Sequence, residues 1–246
     1  MHVAQGVEAL ELTMESMGGH ATIHPTLIWD DSDVILVDTG MPGNLEAIRE
    51  AAARAGAPLE RLNRIILTHQ DMDHIGSVQE LLEAAGHDVQ VLAHEADRPY
   101  IEGEKRLIKL NPERMAERLT MMSDAQRAGF EALMANPPHA HVDRILADGE
   151  ELPYCGGILV VHTPGHTPGH VSLYLRQSRT LVTGDALTAE NGVLQGPRPG
   201  VTPDMATAVA SLRKLTGLDI DAAITYHGGV VRGDVGGRLA ELAASG

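Results

Sequence analysis

Aromatic side chains are scarce in this chain. One Trp, one Phe and four Tyr make up 2% of 246 residues. A core of any size must therefore be built from Leu, Ile, Val, Ala and Met. Cysteine is nearly absent as well. Cys155 stands alone, which excludes an intrachain disulfide framework and a cysteine-clustered zinc site. A chain without disulfides suits a reducing compartment. No run of about 18 apolar residues occurs, so no transmembrane helix is expected. The N-terminus lacks the basic start and apolar stretch of a signal peptide, and the expected location is cytoplasmic. Basic residues are few too: 19 Lys and Arg stand against 34 Asp and Glu, for a net charge of −15. That balance argues against a nucleic-acid partner or an anionic membrane surface and leaves a small-molecule substrate. Bound cations would offset part of the charge.

What is present is globular in kind. Hydrophobic residues make up 43% and charged residues 22%, which excludes disorder and coiled coil. The length suits a single α/β domain over residues 1–246. Ala9 to Met14 alternates, Thr22 to Trp29 is β-branched and apolar, and Val34 to Val37 reads as a buried strand ending at Asp38-Thr39-Gly40. Pro42-Gly43-Asn44 opens a helix over Leu45 to Ala55, closed by Gly56. Further strands are expected at Arg64 to Leu67, Val89 to Ala93, Gly157 to Val161, Val171 to Leu175, Thr180 to Thr183 and Ala222 to Thr225. Ser77 with Glu80 has the spacing of a capping box for a helix reaching Ala85. Thr202-Pro203 starts another helix, and a last one closes the chain. The strand rhythm breaks between residues 98 and 140. Asn111-Pro112 and Ser123 with Gln126 predict two helices there, carrying Met115, Leu119, Met122, Phe130, Leu133 and Met134 and ending at Pro137-Pro138. About 40 residues rarely fold alone, so the stretch reads as a helical insertion.

Of thirteen histidines, five follow apolar runs: His69, His74, His166, His170 and His227. His69-x-Asp71-x-Asp73-His74 packs four possible metal ligands into six residues. Imidazole and carboxylate both suit borderline cations such as Zn²⁺, Mn²⁺ and Fe²⁺. A loop leaving a strand can turn all four inward. Asp185, His166 and His227 follow other apolar strands. A weak two-fold repeat is visible, because each half has a strand ending in a histidine loop and another ending at Asp beside Gly. No GxSxG elbow, P-loop or dinucleotide fingerprint occurs, and Cys155 has no paired histidine motif.

Asp38-Thr39-Gly40, the Thr68-to-His74 motif, Pro164-Gly165-His166, Gly184-Asp185 and Tyr226-His227-Gly228-Gly229 occur in that order over nearly the whole length. Taken jointly they resemble the metallo-β-lactamase fold superfamily. The resemblance implies a four-layered αββα sandwich with the helical insertion 98–140. It also implies two divalent metal ions at one edge of the sandwich, and hydrolysis of an ester, lactone, thioester or amide by a water held between them. Carried over, one metal is held by His69, Asp71 and His166, the other by Asp73, His74 and His227, with Asp185 bridging. Asp73 is also the expected proton shuttle to the leaving group. His170 and Asp38 are expected to support the ligands rather than bind metal.

The family usually has histidine where this chain has Asp71. Zinc is the family's usual metal. Asp71 brings a third carboxylate, so two divalent ions and one hydroxide balance to about zero charge, where a histidine would leave about one positive charge. Weaker Lewis acidity and a preference for Mn²⁺ or Fe²⁺ are expected from that change. A water-mediated Asp71 would leave a mononuclear site. Ala186-Leu187-Thr188 follows Asp185 in place of the tyrosine of the lactone-cleaving branch, and Arg232 and Arg238 are few for reading glutathione. A redox reading, with one iron or two acting on a persulfide, and a binding module with a vestigial site are the alternatives. The insertion is expected to be a substrate-selecting lid or a homodimer contact.

Overall fold

The computed structural model describes residues 1–16, 19–110 and 122–245. Two sheets carry the fold. The first has seven strands in the order β1 (His2–Ala4), β2 (Val7–Ala9), β5 (Thr26–Trp29), β6 (Val34–Val37), β7 (Arg64–Ile66), β8 (Gln90–His94) and β9 (Arg144–Leu146). The second has six, β10 (Glu151–Leu152), β11 (Ile158–His162), β12 (Val171–Leu175), β13 (Thr180–Val182), β16 (Ala222–Thr225) and β17 (Gly229–Arg232). Strands β6 to β9 run parallel, as does the β13–β16 pair, and the remaining pairs are antiparallel. Two hairpins stand apart, β3 (Leu12–Ser16) with β4 (Gly19–Ile23) and β14 (Thr188–Glu190) with β15 (Val193–Gln195).

Alternation along the strands builds the layers. In β6, Ile35 and Val37 face a core that also holds Ile66, Leu92, Val160, Val171, Leu173, Val182 and Ile224, so this core lies between the sheets. Val34 and Leu36 face the other way, with Ile65, Val91, Ile48, Ala52, Val78 and Leu81. Those last four come from helix α1 (Leu45–Ala55) and the helix Val78–Ala85. On the far side, Val161, Tyr174, Leu181 and Ala223 pack against Leu212, Val235 and Leu239. These last belong to the helices Met205–Leu212 and Val235–Ala244. Helix, sheet, sheet and helix thus stack in four layers, the expected αββα sandwich. A buried Leu, Ile or Val contributes ~1.5–3 kcal/mol, so cores of this kind do without aromatics.

Three local readings need correction. Thr22 to Trp29 is two strands, broken at His24-Pro25, because proline donates no ladder hydrogen bond. Ala9 to Met14 also divides, between β2 and β3. Ser77 and Glu80 form no capping box. The Ser77 hydroxyl donates to the Met41 carbonyl (2.7 Å) and accepts from Asn44 N–H (2.9 Å), while Glu80 accepts from Gly43 N–H (2.9 Å). Both serve the turn before α1 instead.

Between β8 and β9 the chain forms a short helix, Arg98–Ile101, a 3-10 turn, Ile108–Leu110, and a helix, Asp124–Ala135, that ends ahead of Pro137. The expected start at Asn111-Pro112, with Met115 and Leu119, lies outside the described residues. Met122, Phe130, Leu133 and Met134 are half-buried. Among the described residues no helix is long and apolar enough to cross a membrane.

Candidate metal centre

The ends of β7, β11, β13 and β16 meet at one edge of the sandwich. A backbone bond from Val171 N–H to the Thr68 carbonyl (2.9 Å) ties the two sheets together there. Thr68 to Asp71 leave β7 as a loop, and Met72–Ile75 then makes one helical turn, with Asp71 as its N-cap. The motif is therefore loop and helix, not loop throughout. That change of direction parts its four side chains into two pairs.

His69 and Asp71 gather with His166 and Asp185, and Asp73 and His74 gather with His227. In each group the ligand-type atoms all lie within 4.8 Å of one another. Asp71 Oδ2 is 3.1 Å from His69 Nε2 and 2.9 Å from His166 Nε2. Asp185 joins the groups, with Oδ2 3.2 Å from His166 Nε2 and 3.5 Å from His227 Nε2, and Oδ1 3.5 Å from His74 Nε2. Asp73 Oδ2 is 3.2 Å from His227 Nε2. Three of these atoms, His69 Nε2, His74 Nε2 and Asp185 Oδ1, are buried without a hydrogen-bond partner among the described residues. Leaving a buried polar atom unpaired costs about 1–3 kcal/mol, and such atoms are rare unless a ligand completes them. The donor set, four imidazoles and three carboxylates converging on one edge, fits divalent metal ions.

The electrostatics are those of a tightly paired site. Burial alone would raise Asp71, but His69, His166 and Lys109 hold its carboxyl well below the usual range. Asp185 is likewise held well below, against burial, by His227, His74 and His166. Burial would lower His74, yet Asp38, Asp185 and Asp73 raise it well above the ordinary histidine value. His227 is raised to about 9, the pull of Asp185 and Asp73 exceeding the burial penalty.

Supporting residues fix the ligands. Asp38 sits in the left-handed region (φ 64°), accepts from Thr68 N–H (2.8 Å) and Thr68 Oγ1 (2.8 Å), and pairs with His74 Nδ1 (2.8 Å). Its strained backbone is held where both histidine positions depend on it. His170 is not among the gathered ligands. Its Nε2 accepts from Asp185 N–H (2.9 Å) and so orients the joining carboxylate. A Cβ on Gly184 would come within 2.6 Å of that same nitrogen, and one on Gly76 within 2.4 Å of the Met41 backbone. Both positions are therefore closed to larger residues.

Asp97 and Lys109 carry no sequence signal, and Tyr226 stands in the motif beside His227 without a role that the motif assigns. Asp97, fully buried, accepts from Gln70 N–H (3.0 Å), Gln70 Nε2 (3.3 Å), Thr167 Oγ1 (2.7 Å) and Gly169 N–H (2.8 Å). One carboxylate thereby ties the His69 loop to the His166 loop. Tyr226 does more than pack beside His227: its ring stacks on His74 at 3.8 Å and its hydroxyl donates to the Asp73 carbonyl. Lys109, from the 3-10 turn, reaches Asp71 Oδ2 and lies 2.5 Å from His166 Nε2. Only a spacing near other ligands could have marked Asp97 and Lys109, and both are remote in sequence from the groups they touch.

A sequence profile of the Metallo-beta-lactamase superfamily matches residues 21–227. "Probable metallo-hydrolase YflN" of Bacillus subtilis is 34% identical over 213 residues, 79% of this chain and 75% of that protein. "Hydroxyacylglutathione hydrolase GloC" of Haemophilus influenzae is 29% identical over 202 residues, 81% of this chain and 82% of its own length. Among solved structures, a metallo-beta-lactamase family protein from Thermus thermophilus superposes with a TM-score of 0.72 at 26% identity, covering 99% of this chain and 80% of that one.

Proposed function

The chain belongs to the metallo-β-lactamase superfamily, and from that premise we propose that this metallo-hydrolase cleaves an ester or thioester of a small molecule with two divalent ions in place. One observation carries the reading: seven His and Asp side chains converge in two adjoining groups, and buried ligand atoms in both lack any other partner. His69, Asp71 and His166 would hold one ion, Asp73, His74 and His227 the other, with Asp185 shared. Bound ions of this kind supply Lewis-acid polarisation of a carbonyl and a water-derived nucleophile at neutral pH.

The chain's own residues do the rest. Asp73 is partly exposed, and its Oδ2, 3.2 Å from His227 Nε2, is placed to take a proton and return it to the leaving group. The Tyr226 hydroxyl is committed to the Asp73 carbonyl, so it is no free donor to a developing oxyanion. A lactonase reading therefore gains nothing from this tyrosine. The late arginines are engaged too, Arg232 with the Val3 carbonyl (2.7 Å) and Arg238 with the Leu194 carbonyl (3.0 Å) and Glu241 (2.8 Å). That weakens glutathione recognition by these two residues, while a thioester remains in line with the name of the Haemophilus relative.

The test is direct. Metal-depleted protein reloaded with Zn²⁺, Mn²⁺ or Fe²⁺ is assayed against esters, thioesters and lactones, with metal per chain measured in parallel. Cleavage by protein holding two ions supports the reading. Oxygen consumption with a persulfide, without hydrolysis, would replace it with the redox alternative.

Asp71 sets the expected metal preference. Asp71→His removes one carboxylate and is expected to shift the ratio of Zn²⁺- to Mn²⁺-supported activity toward zinc on the order of tenfold. An unmoved ratio would show that Asp71 does not choose the metal.

We read the 98–140 insertion as a lid that selects the acyl group. Met122 and Phe130 are half-buried, the same insertion carries the turn whose Lys109 reaches the site, and methionine adapts to varied chains. Changing both to Ala is expected to raise KM several-fold for long-chain esters, with metal content intact. A fall in Tm at constant chain-length preference would make the insertion structural.

A further inference from the structure

Three lysines occur in 246 residues, and one of them is aimed into the metal centre. Lys109 Nζ pairs with Asp71 Oδ2 and lies 2.5 Å from His166 Nε2, with its side chain about a quarter exposed. It therefore stands at the mouth, between the ligands and solvent.

Its backbone is fixed from two sides. Ile108 N–H donates to Gln70 Oε1 (2.9 Å), and the Gln70 amide nitrogen donates in turn to buried Asp97 (3.3 Å). Leu107 is buried in the outer core, and Leu110 packs against the same cluster. The turn that carries Lys109 is thus tied to the loop that carries His69 and Asp71. An ion held by Asp71 and His166 would displace the ammonium from those two atoms, while the anchored turn keeps the Lys109 backbone beside the site.

The charge balance gives this cation a task. With two divalent ions and a hydroxide bound, the three carboxylates would leave the centre about neutral, and Lys109 would restore about one positive charge. Ions held by the cluster would also take up the charge of Asp71. The ammonium would then be left at the mouth of a protein with a net charge of −15, without its one carboxylate partner among the described residues. A carboxylate on the substrate supplies one.

We propose that Lys109 is the anion-recognising residue of this site, and that the substrate is an acyl compound bearing a carboxylate within reach of the scissile carbonyl. The inference rests on the hydrolase reading above and deepens it to a substrate class. No covalent step is assigned to the lysine; it binds and orients.

The experiment compares wild type, Lys109→Met and Lys109→Arg, each loaded with the same metal and checked for metal per chain. Two esters are used: an aryl hemisuccinate, and the matched aryl succinamate in which a neutral amide replaces the carboxylate. Wild type is expected to favour the hemisuccinate at least tenfold in kcat/KM, mainly through KM. Lys109→Met is expected to bring that ratio near one, and Lys109→Arg to keep most of it. Succinate binding by calorimetry should weaken at least tenfold in Lys109→Met and hold in Lys109→Arg. A preference that survives in Lys109→Met, an equal fall for both esters, or altered metal content in that variant overturns the proposal. If loaded wild type cleaves neither ester, the hydrolase reading has failed for this class, and succinate binding alone decides the role of Lys109.

Discussion

Changing His69 and His74 together to Ala is expected to strip the protein of its metal and lower kcat/KM on the order of 10³-fold or more. The size follows from where the two side chains stand. His69 belongs to the group with Asp71, His166 and Asp185, His74 to the group with Asp73 and His227, so the double change takes one nitrogen from each. Both Nε2 atoms are buried and have no hydrogen-bond partner among the described residues, an arrangement that a bound ion would complete. The loss must be told apart from unfolding. His74 is held well above the ordinary histidine value by Asp38, Asp185 and Asp73 against the opposing effect of burial, so its removal also leaves those carboxylates closer to mutual repulsion. Circular dichroism and Tm, measured beside elemental analysis, separate the two effects. Two ions per chain in a folded double variant would refute the ligand assignment.

The second large effect is expected at a residue that touches no ligand atom. Asp97→Ala removes the one carboxylate shared by Gln70, Thr167 and Gly169. Four buried donors lose their acceptor at once, and each buried donor left unpaired costs about 1–3 kcal/mol. The His69 and His166 loops would then be free to move relative to each other. Metal affinity should fall about 10–100-fold, as when the partner of a metal ligand is lost. Asp97→Asn keeps one acceptor oxygen but turns an amide N–H₂ toward donors, so it should fall between wild type and Ala. Urea unfolding and a chelator competition check both limbs. A wild-type midpoint and wild-type metal affinity in Asp97→Ala would show that the two loops are held in register by other contacts.

The strands and their buried faces were legible in the sequence because alternation is local, while the four-layer stacking was implied by the resemblance of the ordered motifs to the family. Val34 to Val37 sends successive side chains to opposite faces, and the same period recurs in Ile65-Ile66 and Ala222 to Ile224, so two core faces per sheet are written residue by residue. The candidate ligands were legible for a related reason. A strand that ends in Asp or His at a sheet edge places a polar side chain where the backbone turns away, and the motif from His69 to His74 lies within a short stretch of loop and one helical turn.

Capping and partnership were not legible in this way. Ser77 and Glu80 have the spacing of a capping box, but the close approach of the 41–44 turn offers them stronger donors and an acceptor. Pro25 splits one apolar run into two strands for lack of an N–H to give the ladder. Residue pattern was enough for the strands and the polar residues at their ends; the sandwich and the grouping of those side chains were implied by the family resemblance. It took the folded chain to reveal that Asp97 joins the two histidine loops, that Tyr226 backs His74, and that Lys109 enters from an insertion 38 residues beyond Asp71. The difference is one of range. Periodicity and caps act over a few residues, whereas a buried charge chooses its partner by the distance the fold leaves between them, whatever the separation along the chain.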